Sequence, residues 1–77
     1  MALKQIKFKD LEGLGSRLKL LRERKKLTVE AAAAPFGIAG STITRWEKGT
    51  IEPPLGYLAY WIESGDCDPY WLLFGDG

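Results

Sequence analysis

Apolar residues recur at spacings of three and four along most of the chain, as expected for helices that each bury one face. We predict an all-α domain of five helices over residues 11–77, preceded by an N-terminal arm over residues 1–10. The first helix, over about residues 13–25, is marked by Leu11, Leu14, Leu18 and Leu21. The fourth, over about residues 54–64, is marked by Leu55, Leu58 and Ile62.

Turn-forming residues set the ends of two shorter helices between these. Thr28 suits the N-cap of the second helix, because its hydroxyl can accept from a free N–H of the first turn. Pro35 removes a hydrogen bond from the last turn, so we expect this helix to bend or stop early. Gly37 and Gly49 are expected to take the left-handed conformation that ends the second and third helices. Helices shorter than about 12–15 residues are marginal alone, so both need flanking helices.

The end of the chain predicts a short fifth helix at Tyr70–Phe74. Asp68 is expected to be its N-cap and Pro69 its first residue. Pro54 can likewise take the first position of the fourth helix, and Gly65 is expected to end that helix.

The third helix, from about Gly40 to Lys48, has two unlike sides. Ile43 and Trp46 are expected to be buried, which leaves short hydroxyls and two cations on the other side. These outward residues are Ser41, Thr42, Thr44, Arg45 and Lys48. Hydroxyls can bond phosphates or base edges, and arginine can pair with guanine through two hydrogen bonds. The alternative is a solvated face without a partner.

Polar and apolar residues nearly alternate in the arm over residues 4–9, a weakly strand-like pattern. The arm also carries three lysines, Lys4, Lys7 and Lys9, which suit a flexible segment on DNA phosphates. A frayed terminus and a strand that pairs with its copy in a dimer are the other interpretations.

Charge divides the 77-residue chain into two halves. Residues 1–48 hold all 11 Lys and Arg and 5 Asp and Glu, a net charge of +6 (11 minus 5). Residues 49–77 hold 5 Asp and Glu and no cation, a net charge of −5. The basic half favours a polyanion partner, although the overall pI of about 7.8 also fits ordinary solvated charge.

The chain contains no histidine and one cysteine, Cys67. It therefore lacks the commonest general base and metal ligand, and we expect no enzyme, metal, cofactor or small-molecule ligand. A single cysteine suits a reducing cytoplasm. No apolar run is long enough to cross a membrane, and we expect no secretory signal.

Aromatic residues are dense after residue 56, and a core this small is not expected to hide them all. We predict a dimer surface from the exposed rings, formed by Tyr57, Tyr60, Trp61, Tyr70 and Phe74. The alternative is ordinary core packing with partial exposure.

Together these residues resemble the lambda-repressor-like (XRE-type) helix-turn-helix family, which includes phage repressors, Cro proteins and small bacterial regulators. The resemblance covers residues 14–75. It begins with LGSRLKLLRERKKLT and ends with DPYWLLFGDG. Between them, the matching positions are Ala33, Gly37, Ile38, Ile43, Arg45, Trp46, Glu47, Gly49, Pro53, Leu55 and Leu58.

The resemblance implies that the third helix lies in the major groove while the second crosses the DNA backbone. The base-facing positions it implies are Gly40, Ser41, Thr44 and Arg45. The phosphate-contacting positions are Thr28, Thr42, Lys48 and Thr50. It also implies a structural ion pair between Arg22 and Glu47.

Four positions depart from the family's usual pattern. Val29 replaces a glutamine that reaches DNA, Ala39 replaces a hydroxyl cap, and Ala32 replaces a core leucine. Pro35 is also unusual at its position. Arg45 is therefore the strongest candidate for direct base readout.

We expect a sequence-specific, double-stranded DNA-binding regulator of phage or prophage type, Cro-like in size or the first part of a longer repressor. It would bind a palindromic operator as a homodimer, in the cytoplasm of a bacterium or a phage-infected host. The alternatives are an antitoxin that represses its own operon and binds a toxin, and a helix-turn-helix fold used only for protein–protein contact.

Overall fold

The computed structural model of the chain describes residues 6–75 and contains, over that range, five α-helices and no strand. The helices are α1 (Leu14–Arg24), α2 (Val29–Ala33), α3 (Gly40–Lys48), α4 (Leu55–Glu63) and α5 (Pro69–Phe74). Two 3-10 helices accompany them, at Phe8–Asp10 and Ala34–Phe36. The predicted all-α architecture is confirmed.

The strand-like interpretation of the arm is wrong where the structure describes it. Phe8–Asp10 is a 3-10 helix, and the amide of Leu11 donates to the carbonyl of Phe8 at 2.9 Å. Phe8 packs against the core, so the chain turns directly into α1 instead of extending. The first five residues of the predicted arm, and the last two of the predicted domain, lie outside the described residues.

Helix α2 ends early, as its proline predicts. The hydroxyl of Thr28 accepts a hydrogen bond from the amide of Ala31 at 3.0 Å and caps the first turn. The α-helix stops at Ala33, and the segment containing Pro35 continues as a 3-10 turn. Gly37 then takes a left-handed conformation with φ of 66°. The sharp exit lets α3 begin three residues later.

The core lies between α1 and the other helices. Leu14, Leu18 and Leu21 of α1 are buried, as the leucine spacing predicts. They belong to one cluster with residues from all the remaining helices, namely Ala32, Ala33, Ile43, Trp46, Tyr57, Leu58, Trp61 and Leu72. The alanines of α2 have small side chains, so α3 can approach α2 closely.

A glycine brings α1 against the end of α3. A Cβ atom on Gly15 would lie 2.8 Å from the carbonyl oxygen of Trp46 and 2.7 Å from the carbonyl carbon of Glu47. Real Cβ atoms do not approach backbone this closely, so the two helices can meet here only through glycine. This contact sets the position of α3 relative to α1.

Helix α5 is fixed to α1 by one arginine. Arg17 Nε donates to the carbonyl of Leu72 at 2.8 Å, and its Nη2 donates to that of Leu73 at 3.0 Å. These carbonyls end α5 and lack partners within the helix. At the other end of α5, the carboxylate of Asp68 accepts from the amide of Trp71 at 3.0 Å, which confirms the predicted cap.

The ends of α4 match the prediction to within one residue. Pro54 is the residue before the helix, with extended backbone, and not its first residue as predicted. Gly65 is left-handed, with φ of 81°, just after the helix. None of the helices in residues 6–75 is both long and apolar enough to span a lipid bilayer.

Candidate nucleic-acid interface

The outward face of α3 carries a continuous polar stripe. Ser41, Thr44, Arg45 and Lys48 follow the spacing i, i+3, i+4 and i+7, which places them on one side of the helix. All but the half-buried Thr44 are exposed. The opposite side holds Ile43 and Trp46 in the core. The polar stripe of α3 is thus held outward by the burial of its apolar side.

The cations of this stripe are not used inside the fold. Within residues 6–75, neither Arg45 nor Lys48 forms an ion pair or a side-chain hydrogen bond. By contrast, Arg17 donates to carbonyls of α5, Arg22 donates to a glutamate, and Lys25 pairs with an aspartate. The guanidinium of Arg45 and the ammonium of Lys48 therefore keep all their donors for a partner.

Gly40, predicted to face bases, is buried at the start of α3, where it packs against α2. A Cβ atom there would lie 3.0 Å from both Cγ2 of Val29 and Oε2 of Glu30. The glycine therefore serves the close approach of α3 to α2. Its presence at a helix start, where it has low propensity, follows from this packing.

Two of the hydroxyls near the stripe, those of Thr44 and Thr28, have local partners. The Thr44 hydroxyl donates to the carbonyl of Gly40 at 3.4 Å, one turn back. Thr28 uses its oxygen as the cap of α2 but keeps its O–H for another acceptor. Thr42 is half-buried, and Thr50 is exposed just after the left-handed Gly49 that ends α3. All four predicted positions lie within or next to the two central helices.

A bidentate ion pair joins α1 to the end of α3, as the family resemblance implies. Arg22 Nε donates to Glu47 Oε2 at 2.7 Å, and Arg22 Nη2 donates to Glu47 Oε1 at 3.0 Å. The remaining Nη1 donates to the carbonyl of Leu27 at 2.8 Å. The side chains are only 11% and 5% exposed. Hydrogen bonding to Glu47 raises the pKa of Arg22.

Sequence reasoning missed part of the polar surface beside α3. Ser16 and Lys19 of α1 line a groove of about 330 Å³ together with Thr44 and Lys48 of α3. A second groove, of about 290 Å³, places Lys9 beside Lys48. These residues lie far from α3 in the sequence. The only sequence signal was that Lys19 falls off the leucine face of α1.

The predicted aromatic dimer surface is partly wrong. Tyr57 and Trp61 are each 1% exposed and lie in the core, where burial raises the pKa of the Tyr57 hydroxyl. Tyr60, Tyr70 and Phe74 are 43%, 62% and 44% exposed. The rings of Tyr70 and Phe74 contact each other on α5 in a tilted arrangement, with ring centroids 4.9 Å apart. Only these three rings of the predicted set remain available to a partner.

Metal chemistry finds no support in the described part of the chain. Residues 6–75 contain no group of three or more histidine, cysteine, aspartate or glutamate side chains placed to hold an ion. The surface around α3 instead carries the cations and hydroxyls of that helix, together with Ser16 and Lys19 of α1. This combination suits an anionic polymer.

Comparison with known proteins agrees with this geometry. The helix-turn-helix domain family matches residues 13–63, which include α1 to α4. The chain is also similar to the HTH-type transcriptional regulator DicA of Escherichia coli (strain K12), with 32% identity over 63 residues. The aligned region covers 82% of this chain and 47% of DicA, so the chain spans about half the length of this curated relative. No solved structure matches the chain.

Proposed function

This chain belongs to the helix-turn-helix domain family, and we propose that it binds double-stranded DNA in a sequence-specific manner and regulates transcription. The membership bears out the resemblance noted from the sequence motifs and the expectation that the chain is not an enzyme. We further propose a repressor of phage or prophage type, comparable to Cro, acting in the cytoplasm of a bacterium or an infected host.

The observation that carries this proposal is the polar stripe of α3. A helix laid in the major groove presents one stripe of side chains to base edges. Arg45 is exposed near the middle of that stripe, and its guanidinium has no partner within residues 6–75. We assign Arg45 to direct readout of guanine, with Ser41 and Thr44 as its neighbours on the bases. Gly40 instead sets the distance between α2 and α3.

Phosphate contacts surround this stripe in the proposed complex. The positions proposed for these contacts lie on α3 or close to it, namely Thr28, Thr42, Lys48 and Thr50. We add Ser16 and Lys19 because they line the same groove as Lys48. Lysines and hydroxyls bond phosphate oxygens without regard to sequence and fix the register of the protein on the duplex. The net charge of +6 in residues 1–48 supports a polyanion on this side.

Dimerisation is proposed through α5. A helix-turn-helix dimer binds two half-sites about one helical turn apart and thereby blocks access of the polymerase to the operator. Tyr70 and Phe74 form an exposed pair of contacting rings on α5, on a different helix from the polar stripe of α3. Burying such rings between two copies would remove apolar surface from water and leave both α3 helices free.

The role of Arg45 is tested by separating charge from hydrogen-bond geometry. Arg45→Ala is expected to weaken binding to the selected operator by about 1–3 kcal/mol and to relax discrimination at one base pair. Arg45→Lys keeps the positive charge but cannot form the bidentate hydrogen bond to guanine. It should therefore retain non-specific DNA affinity and lose discrimination at the same base pair. Gel-shift titrations with the operator and with single-base variants measure both effects.

Lys48→Ala is the matched control for this experiment. Loss of one phosphate contact should weaken binding to all duplexes about equally and lower the salt slope by about one. If Arg45→Ala behaved like this control, weakening target and random DNA by the same factor, its assignment to base readout would be wrong.

A further inference from the structure

A shallow groove runs along the outer side of α4, on a surface distinct from the polar stripe of α3. Its volume is about 400 Å³, and its lining consists of Phe36, Gly56, Ala59, Tyr60, Glu63 and Ser64. The rings of Phe36 and Tyr60 meet edge to face, with centroids 5.2 Å apart, and form one wall. A Cβ atom added at Gly56 would meet nothing within 4 Å from elsewhere in residues 6–75, so the floor of the groove is open.

The residues that line the groove on α4 have the spacing expected where another helix docks. Gly56, Ala59 and Glu63 recur every three or four residues along α4, and the first two are small enough for another backbone to approach closely. Leu55, one turn before Ala59, is 79% exposed, although it is large and apolar. Tyr60 adds a second exposed apolar side chain. An amphipathic helix would find apolar anchors along this face.

Charge determines which helix fits. Glu63 is the one charged residue in the groove lining within residues 6–75. Asp66, which accepts a hydrogen bond from the Ser64 hydroxyl beside the groove, is already paired with Lys25, so Glu63 is the carboxylate of this surface left for a partner. A partner with cations beside its apolar stripe would therefore meet complementary charge at the rim, and an acidic partner would be repelled.

The same charge disfavours a second copy of this chain. A two-fold contact places the same surface of each copy against the other, so each Glu63 would meet a groove whose lining contains no cation. Like charges held close together are destabilising. The exposed rings of α5 carry no such penalty, which separates the proposed dimer contact from the groove of α4.

We infer that the α4 groove binds a cationic amphipathic helix of another protein. The apolar side of that helix would lie over Gly56 and Ala59 against the wall formed by Phe36 and Tyr60, and its cations would pair with Glu63. The inference does not depend on DNA binding, because none of these residues belongs to the surface around α3.

A defined peptide tests this inference on the full chain. The probe is a synthetic leucine–lysine peptide about four helical turns long, with its leucines at helical spacing. Its titration into ¹⁵N-labelled protein should shift the amide resonances of Gly56, Ala59, Tyr60 and Glu63. A scrambled peptide of the same composition should shift them weakly, and a leucine–glutamate peptide should not bind.

Two variants locate the contact. Ala59→Arg places a long cation in the groove and should weaken peptide binding by about tenfold or more. Glu63→Lys reverses the rim charge and should weaken it by about five- to tenfold. Glu23→Lys, the same charge change at an exposed site on α1, should change affinity less than about twofold. All three should retain wild-type melting midpoints and DNA affinity, since α4 and α1 present these side chains to solvent.

Three results would overturn the inference. The first is equal binding of the ordered and scrambled peptides, and the second is unchanged peptide binding by Ala59→Arg. The third is a protein that sediments as a dimer and becomes a monomer on Ala59→Arg, because the groove would then hold a second copy of this chain.

Discussion

Replacing Arg22 by alanine is expected to destabilise the protein by about 3–5 kcal/mol, because it breaks a buried ion pair from one side. The substitution removes three hydrogen bonds, two of them to Glu47, and leaves the carboxylate of Glu47 buried without its cation. Because Glu47 is only 5% exposed, water cannot replace the lost partner well. Urea denaturation followed by circular dichroism measures the change in free energy of unfolding.

The Arg22 prediction has two controls. Arg24→Ala removes an arginine from the same helix. Arg24 is exposed, and within residues 6–75 its contact is a cation–π interaction with Trp71, at 5.8 Å, so the loss should stay below about 1 kcal/mol. In the double variant Arg22→Met with Glu47→Leu, no charge is left unpaired, and much of the stability should return. An unchanged melting midpoint for Arg22→Ala would show that the pair does not hold α3 in place.

Replacing Gly15 by alanine is expected to destabilise the protein by about 3 kcal/mol, although alanine is the better helix former. Helix propensity alone favours alanine over glycine by about 1 kcal/mol. The added Cβ atom would, however, meet the backbone of Trp46 and Glu47 at distances that no relaxed structure shows. Overpacking costs about 1–3 kcal/mol where side chains can move. Here the opposing atoms are backbone, so we expect the upper end of that range or more.

Gly56→Ala is the matched control for Gly15→Ala. Gly56 also lies in a helix, but its Cβ would have no neighbour within 4 Å in residues 6–75 beyond the adjacent residues and the nearby backbone of α4. Alanine there should stabilise the protein by up to about 1 kcal/mol. Opposite signs for the two glycines, measured by the same urea titration, would establish that contact with α3 decides the effect. A Gly15→Ala protein as stable as the wild type would show that α1 and α3 are not held this closely.

The sequence predicted those features that one helix expresses by itself. The polar stripe of α3 could be identified because Ile43 and Trp46 alternate with hydroxyls and cations at helical spacing. The early end of α2 followed from Pro35, whose ring excludes a regular last turn. Caps such as Thr28 and Asp68 depend on their own turn alone, and both were found in the predicted role.

Features that depend on packing between helices were not predictable. Nearly every position of α4 is apolar or aromatic, so spacing could not separate the buried Tyr57 and Trp61 from the exposed Tyr60. Gly40 received a base-facing role from the family resemblance, and nothing in the sequence indicates how closely α2 approaches it. Lys19 was missed for a similar reason, since its position beside α3 results from how α1 packs.

Selection of genomic DNA by the purified protein would show directly whether it is a sequence-specific regulator. Random genomic duplex fragments are incubated with the protein at two salt concentrations, and the retained fragments are sequenced. We predict a palindromic motif with half-sites about one helical turn apart. Affinity should fall steeply with salt, with a slope of about −0.9 for each phosphate neutralised. Weak retention without a motif and without salt dependence would contradict DNA recognition and point to a helix-turn-helix fold used for protein contact.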